Sequence, residues 1–171
     1  MKNAFLIVIF LCMAGCVSQS HKKSAFEATL SGRYAMISFG FPSKPSSSYS
    51  NVYPTYDTYL FGFDSFQLSI DIRPGTADIT SSPEETIRSE TLSLKDRFID
   101  PKGKIVGYAK AGELPIPIAA WTGVDGDYLS ATIPAKRGYI SFSLTKVDYS
   151  DPTCYTGFMK HILDSARVPN R

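Results

Sequence analysis

Apolar and polar residues alternate with a period of two over several stretches of this chain, and that period predicts strands. Phe66, Leu68, Ile70 and Ile72 alternate with Gln67, Ser69, Asp71 and Arg73, so this segment has one dry and one wet face. Residues 58–63 precede it, and Asp64-Ser65 between the two predicts a tight hairpin. Residues 34–41 form an aromatic and branched run that Pro42 stops. Four more strands are predicted over 104–111, 116–122, 128–135 and 139–147, separated by turn residues such as Asp125-Gly126-Asp127 and Lys136-Arg137-Gly138. Pro115 and Pro117 restrict the second of these to an edge or a bulge. The stretch PSKPSSSYSNVYPTYD, residues 42–57, is dense in Pro, Ser and Tyr and predicts a loop without regular structure.

The helical period appears twice. Ser82-Pro83-Glu84-Glu85 carries a capping residue, a proline at the first helical position and a glutamate three residues after the cap. Ile87, Thr91, Leu94 and Phe98 then share one face, predicting a helix to about residue 98. After Asp151-Pro152 a second stripe of Cys154, Phe158 and Ile162, flanked by Met159, Leu163 and Ala166, predicts a closing helix with Cys154 on its buried side. Gly157 weakens that helix by about 1 kcal/mol relative to alanine.

Strands, helix, strands, helix, with no βαβ alternation and no internal repeat, make an α+β fold: a single domain in which helices pack on an antiparallel β-sheet. The aromatic strand ending in "ISFGFP", the hairpin, the Pro-capped helix, the meander and the closing "FMKHILDSARV" resemble the PsbP/Mog1-like α/β/α sandwich, including the DcrB-like bacterial lipoproteins, over roughly residues 33–168. The resemblance lies in element order and aromatic positions. It brings no functional motif, so no binding residue is carried over from that family.

The first residues follow a different logic. Residues 4–14 are eleven consecutive apolar positions after Lys2. A bilayer core requires roughly 20 for a spanning helix, so the run predicts a signal sequence. It ends in Met13-Ala14-Gly15-Cys16 and passes at once into Ser18-Gln19-Ser20-His21-Lys22-Lys23. This resembles the lipobox of bacterial lipoproteins, with Met13 where leucine is more usual. The resemblance implies a signal peptide over 1–15, diacylglycerol on the Cys16 thiol, and acylation of the new amino terminus by a fatty chain such as palmitate. Residues 16–32 would be the lipidated cysteine and a flexible tether, and 33–171 the globular domain. Val17, in place of aspartate, implies sorting to the outer membrane with the domain on the periplasmic face. Each buried methylene contributes about 0.8 kcal/mol, so several chains together hold firmly. An ordinary secretory peptide, with Cys16 there by chance, is the alternative.

Charge excludes one large class of partner. The chain carries 18 basic and 16 acidic residues, and removal of the signal segment takes only Lys2. No basic excess points to nucleic acid. Of three cysteines, Cys12 lies in the signal segment and Cys16 is taken up by lipid, so no intrachain disulfide is predicted for Cys154. His21 and His161 are the only histidines, and with no cysteine pair they predict no metal site and no cofactor. His161 reads as a boundary residue of the last helix. Asp125-Gly126-Asp127 lacks the spaced acidic ligands of a calcium loop and reads as a turn. No nucleophile elbow or phosphate loop occurs, although two carboxylates could perform hydrolysis without a motif.

Tyrosine is the remaining signal. Tyr49, Tyr53 and Tyr56 punctuate the proline-rich stretch, and Tyr59 begins the strand beyond it. Tyrosine joins apolar area to a hydroxyl with few rotatable bonds, which suits partner-binding surfaces; equally, these rings could cover one end of the sheet. Trp121, the single tryptophan, reads as core or sheet rim. The sequence thus predicts a non-catalytic, membrane-anchored periplasmic lipoprotein that holds an envelope or secreted protein through its sheet edge or its tyrosines. An accessory subunit of an envelope complex and an immunity protein that blocks a toxin both fit. The alternative is an envelope hydrolase or small-ligand receptor acting on peptidoglycan or lipid.

Overall fold

The structure, a computed structural model, describes residues 24–75, 102–122, 127–146 and 152–169. Phe26–Ser31 (β1) and Met36–Phe41 (β2) pair as an antiparallel hairpin of their own. Seven further strands form one antiparallel sheet: Ser47–Val52 (β3), Asp57–Gly62 (β4), Phe66–Pro74 (β5), Lys102–Ala111 (β6), Leu114–Thr122 (β7), Tyr128–Ala135 (β8) and Gly138–Lys146 (β9). Their spatial order is β3-β4-β5-β9-β8-β7-β6. A 3₁₀ turn over Pro152–Tyr155 leads into Thr156–Ser165 (α1).

Period-two patterning sets the register of the middle of the sheet. Leu68, Ile70 and Ile72 lie opposite Leu144, Phe142 and Ile140, and those in turn lie opposite Leu129, Ala131 and Ile133. A one-residue slip would turn every one of these side chains toward the wet face, so burial fixes the alignment. Burying each of the larger ones contributes about 1.5–3 kcal/mol.

Two elements cover this apolar face. The β1–β2 hairpin contributes Leu30, Ile37, Phe39 and Phe41, and α1 contributes Phe158, Met159, Ile162 and Leu163. Edge-to-face rings join the layers: Phe41 meets Phe61 at 5.0 Å, and Phe158 meets Phe63 at 5.0 Å and Phe66 at 4.7 Å. Beyond α1 the chain returns to β2, where Ser38 and Arg167 exchange both backbone hydrogen bonds. On the other face Trp121 is buried, its Nε1–H donating to Ser130 Oγ at 2.8 Å. Its ring packs against Gly103, where an added Cβ would stand 2.6 Å from Trp121 Cζ3.

The α/β/α sandwich of the expected α+β fold is not what forms. The described residues are mostly strand, with nine strands and one ten-residue α-helix. The physical reason is the nature of the covering layer. Residues 34–41 form a strand as read, yet β2 pairs with β1 and lays its apolar side onto the large sheet, where helices were expected. That pairing also draws Phe26–Ser31 out of the tether expected over 16–32. The expected loop over 42–57 contains β3, whose pairing with β4 supplies hydrogen bonds that its own polar sequence does not advertise. Cys154, expected on the buried stripe of the last helix, sits in the 3₁₀ turn before α1 and is exposed. The hairpin of β4 and β5 and the buried Trp121 agree with the sequence reading. The helix expected over 82–98, Asp125-Gly126, His21, the signal segment, Cys12 and Cys16 all lie outside the described residues.

Candidate functional site: an open sheet edge beside a tyrosine corner

The two edges of the large sheet are treated differently. β6 carries exposed Lys102, Lys104 and Lys110, and its register shifts between Ile105 and Gly107. Beside it runs α1, whose Asp164 Oδ1 accepts the Lys110 backbone N–H at 2.7 Å. Lysines, a bulge and a covering helix are the usual means of keeping an edge from pairing further. Among the described residues β3 has none of them. Its six residues, Ser-Ser-Tyr-Ser-Asn-Val, carry no charge, and all but Asn51 are exposed. Among the described residues no strand pairs with its outer side.

The Tyr53 N–H donates to Tyr56 O at 2.8 Å, closing the β3–β4 turn. Odd-numbered residues of β3 therefore face β4 with their backbone groups, and by alternation the N–H and C=O of Ser48, Ser50 and Val52 point outward. Tyr49 lies opposite Leu60 and Asn51 opposite Thr58, so these side chains share the face away from the core. At the β4–β5 hairpin end of the strand lies an open groove of about 290 Å³, lined by Ser47, Tyr49, Leu60, Phe63, Phe66 and Gln67. Small-molecule sites span about 300–1,000 Å³ and enclose their ligand, so this groove suits one or two side chains of a larger partner.

The opposite end of β3 is a corner built from tyrosine and arginine. Tyr53 and Tyr56 stack at 4.7 Å between centroids, and the Arg73 guanidinium lies 4.6 Å from the Tyr56 ring. Arg73 also pairs with Asp71 at 2.6 Å. Burial would lower the Arg73 pKa, but the hydrogen bond and charge of Asp71, with smaller contributions from Tyr139 and Tyr56, hold it above its ordinary value. Arg33 holds the turn from behind. Its backbone N–H donates to Asp57 Oδ2 at 2.8 Å, Nη1 to Pro54 O at 3.0 Å, and Nη2 to Tyr53 O and to Asp57 Oδ1 at 3.3 Å. Tyr59, half-buried, donates its hydroxyl to Ser31 O at 2.7 Å. Burial first, then the charge of Asp57, raises its pKa above the ordinary value.

Of the residues singled out by sequence, Tyr53 and Tyr56 come together at the turn while Tyr49 stands apart along β3 and is 61% exposed. His161 is half-buried on α1, with Nε2 at 3.2 Å from Ser24 Oγ. Asp57 and Asp71 do not converge: the register pairs Asp57 with Ile72 and Thr58 with Asp71, which sends the two carboxylates to opposite faces. Among the described residues no group of three metal-ligating side chains gathers. Sequence reasoning missed Arg33 and Asp57, because 24 residues separate a pair that only the meeting of two sheets brings together. It missed β3 as a strand because a strand exposed on both faces has no apolar period to read. A scan against models of known families finds none that matches this chain, and no curated protein matches it.

Proposed function

We propose that this protein is a lipid-anchored module of the bacterial cell envelope that binds a protein partner, without catalysis, through the β3 edge and the tyrosine corner. The observation that carries the reading is the contrast between edges: β6 is defended by lysines, a bulge and α1, while β3 is uncharged and open. Preformed rings at the corner support it, since stacked and arginine-clamped tyrosines lose little freedom on contact with a partner. The lipobox-like Met13-Ala14-Gly15-Cys16 supports the anchor, and tethering at a membrane raises the local concentration of such a module. The periplasmic face of the outer membrane is the proposed location, following Val17.

Two experiments test the reading. Cells grown on radioactive palmitate should label the wild-type chain and leave a Cys16→Ser variant unlabelled; equal labelling of both removes the anchor. A photoreactive residue placed at Tyr53 in living cells should crosslink a defined envelope or secreted protein, and Tyr49→Ala with Tyr56→Ala should reduce that product several-fold. An unchanged product would dismiss the tyrosines as contact residues, and crosslinking to nothing would dismiss the module.

A further inference from the structure

Resting on the binding-module reading, we infer that the occupant of the β3 edge is an extended segment of the partner polypeptide, added antiparallel to β3 as an eighth strand, with an apolar side chain seated in the groove beside Tyr49. Three N–H and three C=O groups, from Ser48, Ser50 and Val52, point away from β4 and offer up to six main-chain hydrogen bonds. Strand addition draws affinity from such bonds and specificity from pockets that receive alternate side chains. The pocket stands in register with the edge. A residue of the added strand opposite Ser47 or Tyr49 projects to the same face as Tyr49, where Leu60 and Gln67 line the groove and Phe63 and Phe66, whose rings turn to the core, close its end. Those are also the positions whose side chains approach most closely, because Ser47 and Tyr49 form the wider-bonded, non-hydrogen-bonded type of pair with an incoming strand.

Area argues against a second copy as the occupant. A six-residue strand is about 20 Å long, so a β3–β3 contact covers on the order of 400 Å² in total, below the roughly 1,000 Å² expected of a stable interface. A two-fold axis at Ser50 would also place Asn51 of the second copy opposite Tyr49, pointing a polar amide toward an apolar groove. An extended segment of another protein is free to place an apolar residue opposite Tyr49, and the remainder of that partner can add area beyond the strand.

The test uses the detergent-solubilised full chain and a phage-displayed library of random eight-residue peptides as the probe. Peptides carrying apolar residues at alternate positions should be enriched. A synthetic copy of the best one should lose at least tenfold in affinity when alternate backbone nitrogens on one of its edges are methylated. Ser50→Pro removes an outward-facing N–H while leaving the pairing with β4 intact, which proline tolerates on an edge; it should also weaken binding at least tenfold. Should Ser50→Pro disturb folding, as read by near-ultraviolet circular dichroism, Ser48→Lys supplies the same block by an edge lysine. No enrichment, or peptides that bind wild type and both edge variants equally, overturns the inference. A dimer seen in sedimentation and abolished by Ser50→Pro overturns it in favour of a second copy. The crosslink from Tyr53 in cells separates the two readings: a product that persists in the Ser50→Pro variant keeps the binding module and removes the added strand.

Discussion

Replacing Arg33 with methionine tests how the tyrosine corner is held. The guanidinium donates to three turn carbonyls, those of Tyr53, Pro54 and Tyr56, and pairs with Asp57. The Asp57 side chain is only 4% exposed, whereas that of Arg33 is 42% exposed. Removing one partner of a fully buried pair costs about 3–5 kcal/mol. Here water reaches the arginine side and Asp57 keeps the Arg33 backbone N–H, so the ionic part is reduced to roughly 1.5–2 kcal/mol. The carbonyl bonds are exposed and add roughly 0.5 kcal/mol in all, because water replaces the lost donor. Arg33→Met should therefore cost about 2–2.5 kcal/mol, which lowers the melting temperature by about 4–10 °C for a chain of this length. Urea unfolding of the purified protein, followed by the fluorescence of Trp121, measures this directly. Asp57→Asn in the Arg33→Met background removes the stranded charge, so the double variant should be less destabilised than the two single effects added together, by about 1 kcal/mol. A cost below about 0.5 kcal/mol for Arg33→Met, or strict additivity in the cycle, refutes the clamp.

Three other outcomes follow from the packing and the titrating groups. Gly103→Ala should destabilise by about 1–3 kcal/mol in thermal unfolding, because the new methyl would lie 2.6 Å from Trp121 and both backbone and ring are fixed; Gly75→Ala should not share this steric cause, since nothing stands within 4 Å of it, although its positive φ adds strain. Ser130→Ala leaves the buried Trp121 Nε1–H without its acceptor and should cost about 1–3 kcal/mol by the same measurement. The Tyr59 pKa is raised in the folded state above its ordinary value of 10.0, so this group's contribution is complete below that value and is lost as pH rises through its folded pKa. The fall in urea midpoint between neutral pH and pH about 11 should accordingly be smaller in Tyr59→Phe than in wild type.

Legibility in the sequence followed burial. β5, β8 and β9 each place one face in the core, and their alternation showed both their existence and their inner residues. Trp121 was readable as core on its type alone, although its acceptor, Ser130, and its bed, Gly103, were not. β3 left no trace, since Ser47 to Val52 has no apolar period and lies exposed on both faces, held by a ladder to β4. Cys154 was misread because the helical stripe of Phe158, Ile162 and Ala166 extends backward to it in sequence, while the backbone enters α1 through a 3₁₀ turn that points it elsewhere.

The candidate site divides the same way. Tyrosine composition named Tyr53 and Tyr56, but their stacking, the Arg73 guanidinium beside them and the Arg33 clamp depend on residues 17 to 24 positions away meeting in space. Amino-acid order alone determined the near-neutral charge, the two-residue period of the central strands and the lipobox-like start, because each is a property of neighbours along the chain. Which strand was left at an edge, which edge was covered, and that a hairpin took the place of a helix on the apolar face were decided only by tertiary structure. Hydrogen-bond partners and the second layer of a core are distant in sequence, and no local pattern records them.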